Sequence, residues 1–415
     1  MIKYLVDGTE GMITASVLLG MLFAYVFREY KTRGRQILLA GTVLGFLMAC
    51  VMAYLKNKTK LINTSTWNLR IFTVSMIVFL LFLITDLKFL RSKARVLQIV
   101  SPVFLSIWSF CLLFYTLPDV LAYPYTFVLG GNAIFTTGFL YRLIGLFLGI
   151  LLCLIAGVST GFVAGMLDEK GSGILLKLAL LVANLQFAAK MLSILLARRV
   201  LTGHNLFQLV KFTSNHAQLF IFLILALAFI APIIMLARSL HVQEPYENPA
   251  QKRKIKAKWR GVRRWSGTVI ACFALAVFTL TSVKAYANRP VELSPTEECE
   301  VRGENVYVSF AQVEDGHLHR FAYTTPNGVA VRFIVIKKPN SSAYGIGLDA
   351  CDICGETGYF ERNGQIVCKL CDVVMNVNTI GFKGGCNPKV IDYTIENGYI
   401  IVPTDTLIEH ESDFK

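Results

Sequence analysis

Charge is scarce in this chain. Only 16% of its 415 residues are Asp, Glu, Lys or Arg, 54% are hydrophobic, and the mean hydropathy is +0.55. That balance excludes an ordinary soluble protein. Histidine is scarce as well, with six in all. No Ser-His-Asp order, phosphate loop or paired-carboxylate motif stands out, which disfavours a hydrolase or transferase.

What is present is apolar length. Eight runs approach or exceed the ~20 residues that span a bilayer as helix: 11–28, 36–55, 70–89, 97–117, 138–165, 173–197, 216–238 and 267–287. One such run could be a buried soluble helix, but eight in succession read as a multi-pass α-helical membrane protein. After Asn288 the texture changes. Apolar runs shorten to strand length and Asn-Gly pairs appear. From Arg289 onward 11 Lys and Arg face 18 Asp and Glu, a balance of −7, which leaves +21 of the total +14 to the residues before it. A basic chain often binds nucleic acid. Here the basic residues lie between spans, so lipid headgroups are their partner and no nucleic acid is expected.

Three basic segments fall on one face of an eight-span chain: Arg28 to Arg35, Lys88 to Arg95, and "QKRKIKAKWRGVRRW" before the last span. The positive-inside rule makes that face cytoplasmic. Lys56, Lys58, Lys60 and Arg70 dissent, but the 252–264 cluster is denser and adjoins a span. The expected organisation is a seven-span membrane domain over 1–266 with a basic cytoplasmic loop at 239–266. A last span or signal-anchor follows at 267–288, then an extracytoplasmic Cys-rich domain at 289–415. Ala285-Tyr286-Ala287 resembles a signal cleavage site or is chance.

The tail is long enough for one small core. "NVYVSFAQV" alternates from Asn305 to Val313, and "VAVRFIVIKK" is rich in β-branched residues. "TPNG", "RNG" and "ENG" set hairpin turns between strand-like runs. A mostly-β domain follows, with nothing of helical period over a useful length.

Ten cysteines divide unevenly. Cys50, Cys111, Cys153 and Cys272 lie in apolar runs and read as small hydrophobes. Six lie in the tail. Cys351, Cys354, Cys368 and Cys371 make the spacing C-x2-C-x13-C-x2-C, a metal-ligand pattern. A hairpin with Asn363-Gly364 at its tip folds the second pair onto the first, as in a zinc-ribbon or rubredoxin-like knuckle pair. The glycine after Cys354 suits a knuckle, whereas Asp372 follows Cys371. Outside the cytoplasm the alternative is disulfides. Cys386 is a fifth ligand or bridges Cys299. His317 and His319 share a face if both lie on a strand, where they could hold copper, iron or zinc. Met375 is a possible soft ligand or core.

"CDICGETGYFERNGQIVCKLC", "GFKGGCNP", "HLHRFAY" and "VAVRFIVIKK" together resemble the C-terminal domain of a family of bacterial iron–sulfur-containing membrane proteins. The layout, with spans first and this tail last, is similar too. The resemblance implies a role in iron uptake with redox handling at the outer face. It also implies an iron permease and a periplasmic iron-binding protein as partners. It carries over Cys351, Cys354, Cys368, Cys371 and Cys386 as metal ligands, with His317 and His319. The implied cofactor is an Fe–S cluster or iron, with zinc or copper as alternatives.

Lys177, Asn184, Gln186 and Lys190 place polar groups in the sixth run, and Asp86 and Arg142 sit near run ends. No repeated acidic pair and no R-E-x-x-E signature of iron permeases is visible, so iron passes through a partner. His204 and His216 lie near one face and could ligate one haem, although span-end histidines are the plainer reading. Three functions stay open. The tail is a redox or electron-transfer centre, a non-redox metal-binding module that docks a carrier, or a metal sensor on a transporting body.

Overall fold

A backbone crossing lipid must bond its own N–H and C=O groups, so each apolar run becomes a helix. The computed structural model describes all residues except 31, 59–61, 88–96, 129–136, 290, 340, 363, 372, 383–385 and 415. The predicted basic segment Lys88 to Arg95 therefore lies outside the described residues, as do Lys31, Lys60, Asn363 and Asp372. The chain divides into two units, Met1–Asn288 and Arg289–Lys415.

Among the described residues, eight helices of the first unit are long and apolar enough to cross a membrane. They are α1 (Ile2–Glu29), α2 (Thr32–Lys58), α3 (Thr64–Thr85), α4 (Leu97–Val128), α5 (Thr137–Met166), α6 (Glu169–Ala197), α8 (Gln218–Leu240) and α9 (Pro249–Phe278). A short amphipathic helix, α7 (His204–Asn215), lies between α6 and α8 and was not anticipated. Helix α1 begins nine residues before its apolar run, carrying Glu10, which pairs with Lys284 at 2.7 Å. The segment read as a basic loop is helical from Pro249. Asn248 caps it by accepting from the Gln251 N–H at 2.8 Å, and proline occupies the first turn. A π turn at Thr279–Val283 and a last turn at Lys284–Ala287 prolong the same helix.

Small residues let these helices touch through their backbones. Along α5, Gly145, Gly149, Cys153, Gly157, Gly161 and Gly165 recur every fourth position. A Cβ on Gly157 would lie 2.4 Å from the Ser16 carbonyl oxygen, and one on Gly20 would lie 2.1 Å from that of Gly157. This seam joins α1 to α5. Helices α2 and α4 meet likewise at Gly41, where a Cβ would lie 2.0 Å from Ser106 Oγ.

The polar residues of the spans are joined across helices. Asp86, 4% exposed, accepts from Tyr25 Oη (2.7 Å) and Tyr30 Oη (2.8 Å) and pairs with Lys177 (2.8 Å). Ser75 donates to Asn184 (3.3 Å), and Lys190 donates to Tyr115 (2.7 Å). Asp86 sits at the end of α3, as expected, and is paired there, because lipid makes an unpaired charge costly. Cys111, Cys153 and Cys272 are buried, as expected of small hydrophobes, and Cys50 is half-buried. His204 and His216 are exposed at the ends of α7.

The second unit is mostly antiparallel sheet. One sheet orders β1 (Glu300–Arg302), β2 (Asn305–Ser309), β10 (Tyr399–Pro403) and β9 (Thr394–Glu396). A second orders β3 (His319–Thr324), β4 (Ala330–Lys337) and β5 (Tyr344–Leu348). A third orders β6 (Tyr359–Arg362), β7 (Gln365–Cys368) and β8 (Val374–Met375). The Glu396-Asn397-Gly398 turn places Asn397 at φ +50° and Gly398 at φ +80°, the double positive φ of a tight hairpin. The alternation from Asn305 stops at Ser309. There a capping box with Gln312 starts a helical turn, Phe310–Val313. Strand β4 reads as a continuous apolar run because both its faces are buried. Phe333 and Val335 pack with Val308, Phe321 and Ile400, whereas Ile334 and Ile336 pack with Leu318, Tyr359 and Ile366. Cys351, Cys368 and Met375 belong to the second of these cores.

Candidate metal centre

Strand β5 leads into a buried charge network that sets the path of the cysteine segment. Asp349 is fully buried and accepts from Arg320 Nε (2.8 Å), Arg332 Nε (3.3 Å) and the Tyr359 N–H (2.8 Å). Arg320, 1% exposed, also donates to the carbonyls of Ser294 and Tyr359. One carboxylate thus ties the start of the first knuckle to the start of β6. Sequence reasoning missed Arg320, Asp349 and Tyr359. The one signal was Arg320 leading into the apolar Phe321-Ala322-Tyr323 run, where burial permits a charge only when it is paired.

The first knuckle closes through reciprocal backbone bonds. The Cys351 N–H donates to the Gly355 carbonyl (3.1 Å) and the Gly355 N–H to that of Cys351 (3.0 Å). Gly355 takes φ +65°, the left-handed region that the turn requires. The Cys354 N–H points at Cys351 Sγ (3.1 Å). The β6–β7 hairpin pairs Tyr359 with Cys368 and returns the second knuckle to the first, as the spacing predicts. Tyr359 also donates its hydroxyl to the Cys386 carbonyl (2.6 Å), which draws the fifth cysteine in.

The result is two thiol triplets with a shared member. Cys351, Cys354 and Cys386 form one, and Cys354, Cys368 and Cys371 form the other. Within each, the sulfurs lie within 4.8 Å of one another. Cys371 Sγ and Cys386 Sγ are 3.5 Å apart. Burial pushes the thiols of Cys354 and Cys368 up, and that of Cys386 up to about 11. Cys371 differs. Burial opposes its ionisation, but the Val373 N–H and the neighbouring thiols of Cys368 and Cys386 outweigh that and hold it below the ordinary range. Backbone N–H groups also reach Cys368. Soft sulfur donors, half-buried and met by backbone N–H groups, fit a metal ion or iron–sulfur centre.

The other predicted residues lie apart from the sulfurs. Cys299 packs against the first tail core, with its thiol 3.7 Å from the Ala322 carbonyl, so its neighbour is not Cys386. His317 precedes strand β3, and the same-face argument does not apply to it. Its Nδ1 meets Glu361 at 3.0 Å. His319 sits between Glu297 (Nδ1, 2.8 Å) and Asp315 (Nε2, 2.8 Å). Among the described residues, the groups able to hold a metal consist of thiols alone. Met375 is core.

Residues 313–414 match the family described as membrane iron-sulfur containing protein FtrD-like. The match covers both knuckles, Cys386 and both histidines, and none of the spans. No curated protein and no solved structure matches the chain. The tail is therefore similar to an iron–sulfur family, as the cysteine stretch implied.

Proposed function

We propose that this multi-pass membrane protein holds an iron–sulfur cluster or iron at Cys351, Cys354, Cys368, Cys371 and Cys386 and assists iron uptake through redox handling. The observation that carries the reading is the convergence of five thiols on Cys354. A bound iron–sulfur cluster supplies an electron-accepting and electron-donating couple. The chain's own part is to hold the sulfurs. Asp349 fixes where the first knuckle starts, Tyr359 holds Cys386, and backbone N–H groups at Cys368 and Cys371 favour thiolate over thiol.

The tail is proposed to lie outside the cytoplasm. Eight spans put both termini on one side, and the basic residues of 252–264 belong opposite them. The proposed partners are an iron permease and a periplasmic iron-binding protein. The chain has no R-E-x-x-E signature with which to carry iron itself.

A second reading is a single tetrahedral ion in a non-redox docking module. Sulfurs around such an ion at ~2.3 Å stand roughly 3.8 Å apart, close to the 3.5 Å between Cys371 and Cys386. Metal analysis and visible absorption of the purified full chain in detergent separate the two. Iron with colour that bleaches on reduction supports the first, and colourless stoichiometric zinc supports the second. Metal-free protein with its thiols cross-linked in pairs defeats both.

A further inference from the structure

A tetrahedral ion needs four ligands, and the tail brings five thiols together. The five are not alike. Cys351 and Cys368 are buried in the core with Tyr359 and Ile366, and Cys354 is shared by both triplets. Cys371 is the exposed thiol of the five, and Cys386 is half-buried beside it. Their sulfurs are 3.5 Å apart, and a disulfide needs about 2.05 Å. Closing that gap takes movement of the two side chains toward each other. The pairs within each knuckle are held differently. Backbone N–H groups bond Cys351 Sγ and Cys368 Sγ as one does Cys371 Sγ, but Cys351 and Cys368 are in addition buried in the core, which fixes them in the knuckle orientation.

We propose that Cys371 and Cys386 are a redox-active dithiol whose oxidation closes the metal site. This rests on the metal-centre reading above. The reaction is thiol–disulfide exchange. The two thiols meet a disulfide R–S–S–R, the Cys371–Cys386 bond forms, the donor's S–S bond breaks, and two R–SH leave carrying the two protons and two electrons. A protein or small-molecule disulfide is the oxidant, and such disulfides persist on the extracytoplasmic side. After oxidation Cys351, Cys354 and Cys368 remain, one ligand short of a four-thiolate site. A bound metal occupies the same sulfurs and blocks the exchange. Loading and oxidation are thus alternatives at one pair of residues, and a dithiol reductant restores the site.

The test uses the full chain in detergent, stripped of metal and reduced. It is treated with oxidised glutathione, alkylated and cut with trypsin. Lys369, Lys383 and Lys389 place Cys368, Cys371 and Cys386 on separate peptides. The expected map joins 370–383 to 384–389. Cobalt(II) binding, read by sulfur-to-metal charge-transfer absorption, should fall in proportion to that linkage and return with dithiothreitol. Cys299→Ser should alter neither readout. Linkage within a knuckle instead, or full cobalt binding by the linked protein, overturns the proposal. If the reduced chain binds no cobalt, the metal-centre reading fails, while the peptide map still decides whether this dithiol exists.

Discussion

Each half of the molecule buries a carboxylate in a network of bonds, Asp86 in the helical unit and Asp349 in the tail, and the two are held differently. In the helical unit, Asp86 takes its bonds from side chains: Tyr25, Tyr30 and Lys177. The helices satisfy most of their own backbone groups, so side chains supply these bonds. In the tail, Asp349 takes a backbone N–H from Tyr359, and its partner Arg320 serves the carbonyls of Ser294 and Tyr359. Strand ends and turns leave backbone groups that need partners. The first network therefore fixes one helix against another. The second fixes the path of the chain, and with it where the sulfurs stand.

Removing each carboxylate tests that difference. Asp349→Ala strands the Arg320 guanidinium in a dry core, at a cost of about 3–5 kcal/mol. Against a typical domain stability of ~5–15 kcal/mol, the tail should lose both protease resistance and bound metal. Full metal content in this variant would show that the network does not position the knuckle. Next in size is Cys354→Ser, which removes the sulfur common to both triplets and should abolish metal retention. Cys299→Ser, in the other core, should leave metal content unchanged.

The sequence made the knuckles legible because their chemistry is local: spacing, a hairpin, and a glycine after Cys354. The eight helices were legible from apolar length alone. Their ends were not, because Asn248 and Pro249 recruit basic residues into α9, and polarity does not stop a capped helix. The partners of Asp86 and Asp349 were invisible for a different reason. Tyr25 and Lys177 are separated from Asp86 by long stretches of chain, and no local pattern announces a contact made only by packing. The seam of glycines at Gly145 to Gly165 stood in plain view as a four-residue repeat and went unread. The His317 and His319 pair was read as one strand face, but β3 begins at His319.

On the helical side, Gly157→Leu forces a side chain into the Ser16 carbonyl. Overpacking of this kind costs about 1–3 kcal/mol. The detergent-solubilised chain should aggregate at lower temperature, while tail metal stays constant. Asp86→Ala should act in the same direction and less strongly than Asp349→Ala. The stranded Lys177 side chain is 33% exposed and long enough to snorkel toward the membrane surface, whereas that of Arg320 is 1% exposed. Equal losses from the two substitutions would erase the distinction between the networks.

The smallest effect concerns pH and belongs to the tail alone. Burial would lower the His319 pKa, but its bonds to Asp315 and Glu297 outweigh burial and hold it above the ordinary 6.5. A raised folded value means that the protonated ring is stabilised by folding. That contribution is complete below 6.5 and is lost as pH climbs through the folded value. Asp315 behaves oppositely. Its bond to His319 holds it below 3.8, so its contribution is present above that value and lost in acid. The urea midpoint of the tail, read by pulse proteolysis, should therefore decline as pH rises above 6.5. His319→Gln keeps a polar side chain but cannot titrate, and its midpoint should decline less over the same range, keeping the part due to His317, which Glu361 also holds above 6.5. Parallel declines in the two proteins would mean that the slope comes from elsewhere. A flat wild-type profile would mean that the carboxylates do not hold the ring charged.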